Sequence, residues 1–152
     1  MTSVRETSRS RELRGHGPLA WLRLARVFRK VERASEEHLR RWDLSVAQFD
    51  VLAHVGASEG VVQQDLAESL LVTEGNVCQL LDRMEGRGLI LRRKEGRTNR
   101  LFLTDAGRCL FDEVVPAHEA MISEQFSALS AREQEQLHEL LRKLDRALDD
   151  EA

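Results

Sequence analysis

The stretch from Gln63 to Thr104 constrains the fold most, because it sets two short helical segments directly ahead of two short strand-like runs. Along QQDLAESLLVTEGNVCQLLDRMEGRG, the apolar or small residues Leu66, Ala67, Leu70, Val72, Val77 and Leu80 stand where two short helices crossing steeply must touch. Ala67 is small enough to let the second helix pass close to the first. The break is expected near Leu71 and Val72, with Thr73 as N-cap of the second helix and Gly86 or Gly88 at its end. LILRR and RLFLT then read as strands joined by KEGRTN, where Gly96 and Asn99 tolerate the positive φ of a hairpin. Two helices followed by a two-stranded ribbon make a winged helix-turn-helix.

The flanks are helical. GPLAWLRLARVFRKVERASEEHLRRW starts with Pro18, tolerated in a first turn, and spaces Leu24, Val27, Phe28, Val31, Ala34, Leu39 and Trp42 along a long amphipathic helix. LSVAQFDVLAHV opens with Ser45 and Gln48, a capping box, and Gly56 is expected just past the end of its helix. Thr104 can cap a helix running toward Phe126 in which Pro116 implies a kink, and Ser130 with Glu133 forms a second capping box before the last helix. Leu137, Leu141, Leu144 and Leu148 give that helix a narrow apolar stripe. The expected fold is mainly α with a two-stranded β wing. A mobile tail over residues 1–15 precedes a single domain at 16–152, with a winged unit at 45–104 and dimerisation helices at 18–42 and 105–149. The terminal helices carry more apolar face than a small wing-bearing core needs, so a homodimer is expected, with those helices interleaved across a two-fold axis.

A chain of 152 residues, 41% hydrophobic and 32% charged, is long enough for one core and hardly two. The Arg-rich N-terminus has no apolar signal region and no later stretch approaches a membrane span, so the expected setting is cytoplasmic. Cys78 and Cys109 lie far apart, with no CxxC pair to suggest a disulfide framework or a structural zinc. The net charge of −3 would not by itself point to nucleic acid. Its distribution does: Arg83, Arg87, Arg92, Arg93, Lys94, Arg97 and Arg100 face only Glu85 and Glu95 in the same window, a local +5, while Ala131 to Ala152 carries −3.

At about 100° per residue, Val77, Leu80, Leu81 and Met84 share one face of the second helix, leaving Gly75, Asn76, Gln79 and Arg83 on the other. Asn and Gln pair with adenine N6/N7 and Arg with guanine O6/N7, while Thr73 and the helix N-terminus suit a phosphate. An ordinary helix pair with a solvated polar face would look the same; the wing that follows, carrying Arg93, Glu95 and Arg97, tips the reading to double-stranded DNA. Glu95 is placed to brace the Arg97 guanidinium. The alternative for Arg92, Arg93 and Lys94 is a strand edge kept charged against aggregation. Trp21, Trp42, Phe49 and Phe111 are candidates to line a pocket for a small-molecule effector, against the plainer role of core aromatics. His16, His38, His54, His118 and His138 lack metal-ligand spacing, favouring surface or core roles over a metal site. No cofactor is implied, and no nucleophile–base pair, phosphate loop or paired catalytic carboxylates suggest an enzyme.

LSVAQFDVL, QQDLAESLLVTEGNVCQLLDRMEGRGLILRR and EGRTNRLFLTDAG, in that order and spacing, resemble the successive blocks of the MarR/SlyA family of transcriptional regulators, over most of residues 18 to 149. The resemblance implies a triangular homodimer on pseudo-palindromic operators, expected as a repressor, with DNA often released by small phenolic or other aromatic ligands. It also implies recognition positions at Thr73, Glu74, Gly75, Asn76, Gln79 and Arg83 and an acidic-x-Arg wing motif at Glu95 and Arg97. Glu74 stands where a basic or neutral residue is common, and Gly96 where a second wing Arg is common. Both departures should lower nonspecific affinity, the alternative for Glu74 being to accept a hydrogen bond from cytosine N4. The competing expectation is a winged-helix protein-interaction module whose basic wing docks an acidic partner.

Overall fold

The computed structural model describes residues 15–70 and 74–150, the side chains of residues 74 and 75 excepted. Most of the expected tail, the break near Leu71 and Val72, and the Thr73 cap lie outside the described residues, as do the side chains of Glu74 and Gly75. The first helix, α1 (His16–Leu39), ends in a single 3-10 turn, Arg40–Trp42, whose tight exit is closed by Asp43 at φ 53°. Helix α2 (Val46–Ala57) carries the expected capping box: the Gln48 N–H donates to Ser45 Oγ (3.1 Å) and the Ser45 N–H to Gln48 Oε1 (3.0 Å). Each side chain thereby satisfies a backbone donor that the helix itself cannot. Gly56 does not follow this helix, as expected, but lies in its last turn, where any Cβ would run into the Phe111 ring.

A short strand β1 (Val61–Val62) precedes α3 (Gln63–Ser69) and α4 (Glu74–Gly86), and the chain then forms β2 (Ile90–Glu95) and β3 (Thr98–Leu103). The sheet has three strands in the order β1-β3-β2, with Val61 opposite Leu101 and Val62 opposite Arg100. The two-stranded wing expected from the sequence therefore gains a strand, one too short to show any periodicity of its own. Glu95 pairs with Thr98, leaving Gly96 and Arg97 as a two-residue turn. Gly96 alone takes the positive φ, 61°, at the first turn position, as a type II′ hairpin needs; Asn99 sits within β3 opposite Lys94.

Thr104 caps α5 (Asp105–Gln125) by accepting the Gly107 N–H at 3.0 Å, and Pro116 is contained within this one α-helix. Gly107 is required where it stands, because a Cβ there would overlap the backbone carbonyl of Leu89. Ser130 and Glu133 form the second capping box, at 3.2 and 2.9 Å, ahead of α6 (Ala131–Asp150). The core lies where α2, α3, α4, α5 and the sheet meet: Val51, Leu52, Val55, Leu66, Val77, Leu81, Met84, Leu101 and Val114 are fully buried there. Helix α6 buries no residue, and α1 buries only Ser35 and Leu39. No helix among the described residues is long and apolar enough to cross a membrane.

Candidate nucleic-acid interface

Helix α4 is fixed by its inner face. Val77, Leu81 and Met84 are fully buried, Leu80 is half-buried, and Leu66 and Ala67 of α3 pack into the same core. That anchoring leaves Asn76, Gln79 and Arg83 exposed along the opposite side, as the helical spacing requires. Gly75 lies within the helix backbone beside them.

The cations of this region have different fates. Arg92 is held by α4: it pairs with Asp82, and its Nη2 donates to Glu85 Oε1 at 3.2 Å. The Arg92 hydrogen bond holds the Glu85 carboxyl below the usual carboxylate range. Arg87 donates to the backbone carbonyls of Asp43 (2.7 Å) and Trp42 (3.3 Å), tying the end of α4 to the turn after α1. Arg100 pairs with Glu95 and donates to the Gly60 carbonyl at 2.9 Å. The expected brace between Glu95 and Arg97 is thus not formed. Across an antiparallel pair, Glu95 lies opposite Thr98 and diagonal to Arg100 on the same face, whereas Arg97 is in the turn and out of that register. The same contact offsets the like-charge pairing of Arg93 with Arg100 across the strands. Arg83, Lys94 and Arg97 make no ion pair among the described residues, and Arg93 lies over the Phe102 ring at 5.1 Å. Strand alternation sets Arg92 and Lys94 on the face toward α4 and Arg93 on the other. Lys94 shares the strand face of Arg92, which meets Asp82 and Glu85 of α4, but is left without an ion pair there, a distinction that the basic run alone did not make.

Between α1, α2 and α5 lies a cavity of about 580 Å³, bounded by Phe28, Val31, Phe49, Leu70, Leu80 and Ile122 together with Glu32, Asp50 and His118. Of the four aromatic residues expected to line a pocket, only Phe49 does so. Trp21 is 65% exposed on α1, while Trp42 donates Nε1–H to Glu113 at 3.1 Å and sets its ring against His38. Phe111 fills the space beside Gly56, under Arg108. No motif or spacing announces that His38 and His118, eighty positions apart, meet with their Nδ1 atoms at 3.2 Å. Burial lowers the pKa of both, helped at His38 by Arg41 and at His118 by His38, and the Phe49 ring lies 4.3 Å from His118. Burial pushes the Asp50 carboxyl up, against a smaller opposing effect of His54. Cys78 and Cys109 are free and exposed, and Gln63 Nε2 donates to Cys78 Sγ at 3.1 Å.

An exposed helix face seated on a helix-turn-helix core, with a cationic hairpin beside it, defines a winged helix-turn-helix DNA-binding protein. The chain belongs to the MarR family: residues 42–100 match the MarR family model. An uncharacterized HTH-type transcriptional regulator of Bacillus cereus is 36% identical over 129 residues, 84% of this chain and 88% of that protein. A mutant MarR from E. coli complexed with operator DNA superposes with a TM-score of 0.76 at 26% identity, over 84% of this chain and 94% of that one. A MarR family protein of Mycobacterium tuberculosis in complex with salicylic acid gives 0.67 at 26% identity, over 84% and 96%. The protein is accordingly a DNA-binding transcriptional regulator and not an enzyme.

Proposed function

We propose that the protein is a homodimeric repressor that reads a pseudo-palindromic operator with α4 and grips the flanking DNA with its wing, and that a small aromatic ligand in the α1–α2–α5 cavity releases it. The observation that carries this reading is the division of α4, where Asn76, Gln79 and Arg83 stand exposed over a fully buried Val77, Leu81 and Met84. Those three side chains offer hydrogen bonds to adenine and guanine edges, and a helix held so firmly presents them without a large ordering cost. Gly75 allows close backbone approach at the start of the row, and Thr73 with the helix N-terminus suits a phosphate. Arg97 at the hairpin tip and Arg93 on its outer face contribute phosphate or minor-groove contacts. Glu95 acts through Arg100, holding the hairpin's shape. The operator-bound relative from E. coli and the salicylic acid complex from M. tuberculosis support the two halves of the proposal.

Gel retardation with DNA from the promoter region of the protein's own gene tests it. A specific complex is expected to survive excess random competitor, at duplex ratios set by one operator per dimer. A chain that binds random and promoter DNA alike, or neither, would overturn the proposal that α4 reads an operator in this region.

A further inference from the structure

The cavity wall carries two acidic side chains, Glu32 of α1 and Asp50 of α2, with no Lys or Arg among its lining residues to balance them. Asp50 has no ion-pair partner among the described residues; the ring of His54, one turn on, bonds the Asp50 backbone carbonyl at 2.8 Å rather than its carboxylate. His118 is 94% buried, since only 6% of it is exposed, and it lines the same space. Its Nδ1 is engaged by His38, while its Nε2 has no partner among the described residues. In the tautomer where His118 donates from Nδ1, that Nε2 is a lone-pair acceptor. Burial lowers the pKa of this ring and so favours its neutral form, which brings no positive charge to meet an anion. The remaining wall is apolar, with the Phe28 and Phe49 rings among it, and about 580 Å³ falls within the range of small-molecule sites.

We propose that this cavity takes a lipophilic organic cation, with its apolar body against Phe28 and Phe49 and its positive end against Asp50 and Glu32. The inference rests on the cavity being a ligand site and names the ligand's charge class. A carboxylate ligand would place a third negative charge beside two that lack a counter-ion, whereas an ammonium group relieves the desolvated Asp50 and can donate N–H to His118 Nε2. The same aromatic surfaces attract a cation through their ring faces.

Three molecules with one skeleton separate charge from shape: 4-tert-butylbenzylammonium, 4-tert-butylbenzyl alcohol and 4-tert-butylbenzoate. Titration calorimetry of the full chain at pH 7.5 should rank ammonium over alcohol over carboxylate, by about tenfold between the first two given partial solvent screening. Asp50→Asn combined with Glu32→Gln should bring ammonium and alcohol to near equality while leaving alcohol binding in place, which also shows that the cavity is intact. Carboxylate binding as well as or better than ammonium would overturn the inference, as would a preference that survives the double substitution or failure of all three to bind. Operator release is read separately by gel retardation. Ammonium binding that leaves the operator complex intact defeats the effector reading but not the charge class; carboxylate binding that releases the operator does the reverse.

Discussion

Three adjacent bases, Arg92, Arg93 and Lys94, illustrate how little a local charge count says about availability. Arg92 is consumed by Asp82 and Glu85, Arg93 lies on Phe102, and Lys94 stands without an ion pair on the α4 face. The Glu85 contact carries a pH signature. Its carboxyl is held low chiefly by the hydrogen bond from Arg92. The charged form is therefore favoured on folding, and this contribution is present above the ordinary carboxylate value and lost as pH falls through the lowered one. Thermal unfolding followed from pH 6 to pH 3 should show a smaller acid loss for Glu85→Gln than for the parent; parallel curves would mean that the pair contributes nothing measurable. Gly107 makes a sharper residue-scale case. Its neighbour is the Leu89 carbonyl, which belongs to backbone and cannot swing aside. Gly107→Ala should cost about 1 to 3 kcal/mol or more, as overpacking does, read as a fall in unfolding midpoint. A control at Gly86, where an added Cβ meets nothing within 4 Å, should leave the midpoint unchanged or slightly raised.

At the scale of elements, helix and wing are expected to divide the work. Gln79→Ala and Asn76→Ala should each cost on the order of 1 to 3 kcal/mol on the operator and little on random DNA, because base edges carry the sequence information. Arg97→Ala should weaken binding to all sequences by similar factors and reduce the salt slope by about one unit if one phosphate contact is lost. Titrations against operator and scrambled duplexes at several salt concentrations check both; an unchanged operator-to-scrambled ratio in the α4 variants removes the base-reading role from that face. The elements that the sequence made legible are those announced by local chemistry. Both capping boxes mark helix starts through a hydroxyl and an acid or amide three residues on, and the inner face of α4 follows from helical spacing alone. What stayed hidden depends on tertiary register. Strand β1 is two residues long and exists only through its pairing with β3, and Gly56 looks like a terminator until Phe111 is brought against it. Likewise, Asp82 stands one residue before the basic stretch Arg83 to Arg100, and His38 meets His118 only once α1 packs beside α5.

For the whole molecule, the unanswered surface is the largest fact. Helix α6 has twenty residues and buries none of them, although a helix in a protein draws most of its stability from a packed amphipathic face. Leu141, Leu144 and Leu148 form a groove with Leu24 of α1, and Leu19, Trp21, Leu22 and Phe28 are more than half exposed further along that helix. We expect two such surfaces, related by a two-fold axis, to cover one another in a homodimer, and a stable pair needs about 1,600 Å² of buried surface in total. The fully buried core, centred on Leu52, Leu66, Leu81 and Leu101, lies apart from α6, so the winged unit should outlast loss of the dimer. Deleting Ser130 onward is therefore expected to yield a monomer by sedimentation with most of its helical signal retained, and Leu141→Glu combined with Leu144→Glu to do so without shortening the chain. Each monomer would then meet one half-site alone. Without a partner fixed one helical turn, about 34–36 Å, away, the second half-site adds nothing to the first. Operator affinity should fall toward the level for random DNA, while the residual binding keeps its salt dependence. A truncated or doubly substituted chain that sediments as a dimer and binds its operator normally would remove the terminal helices from the interface and leave their exposed leucines unexplained.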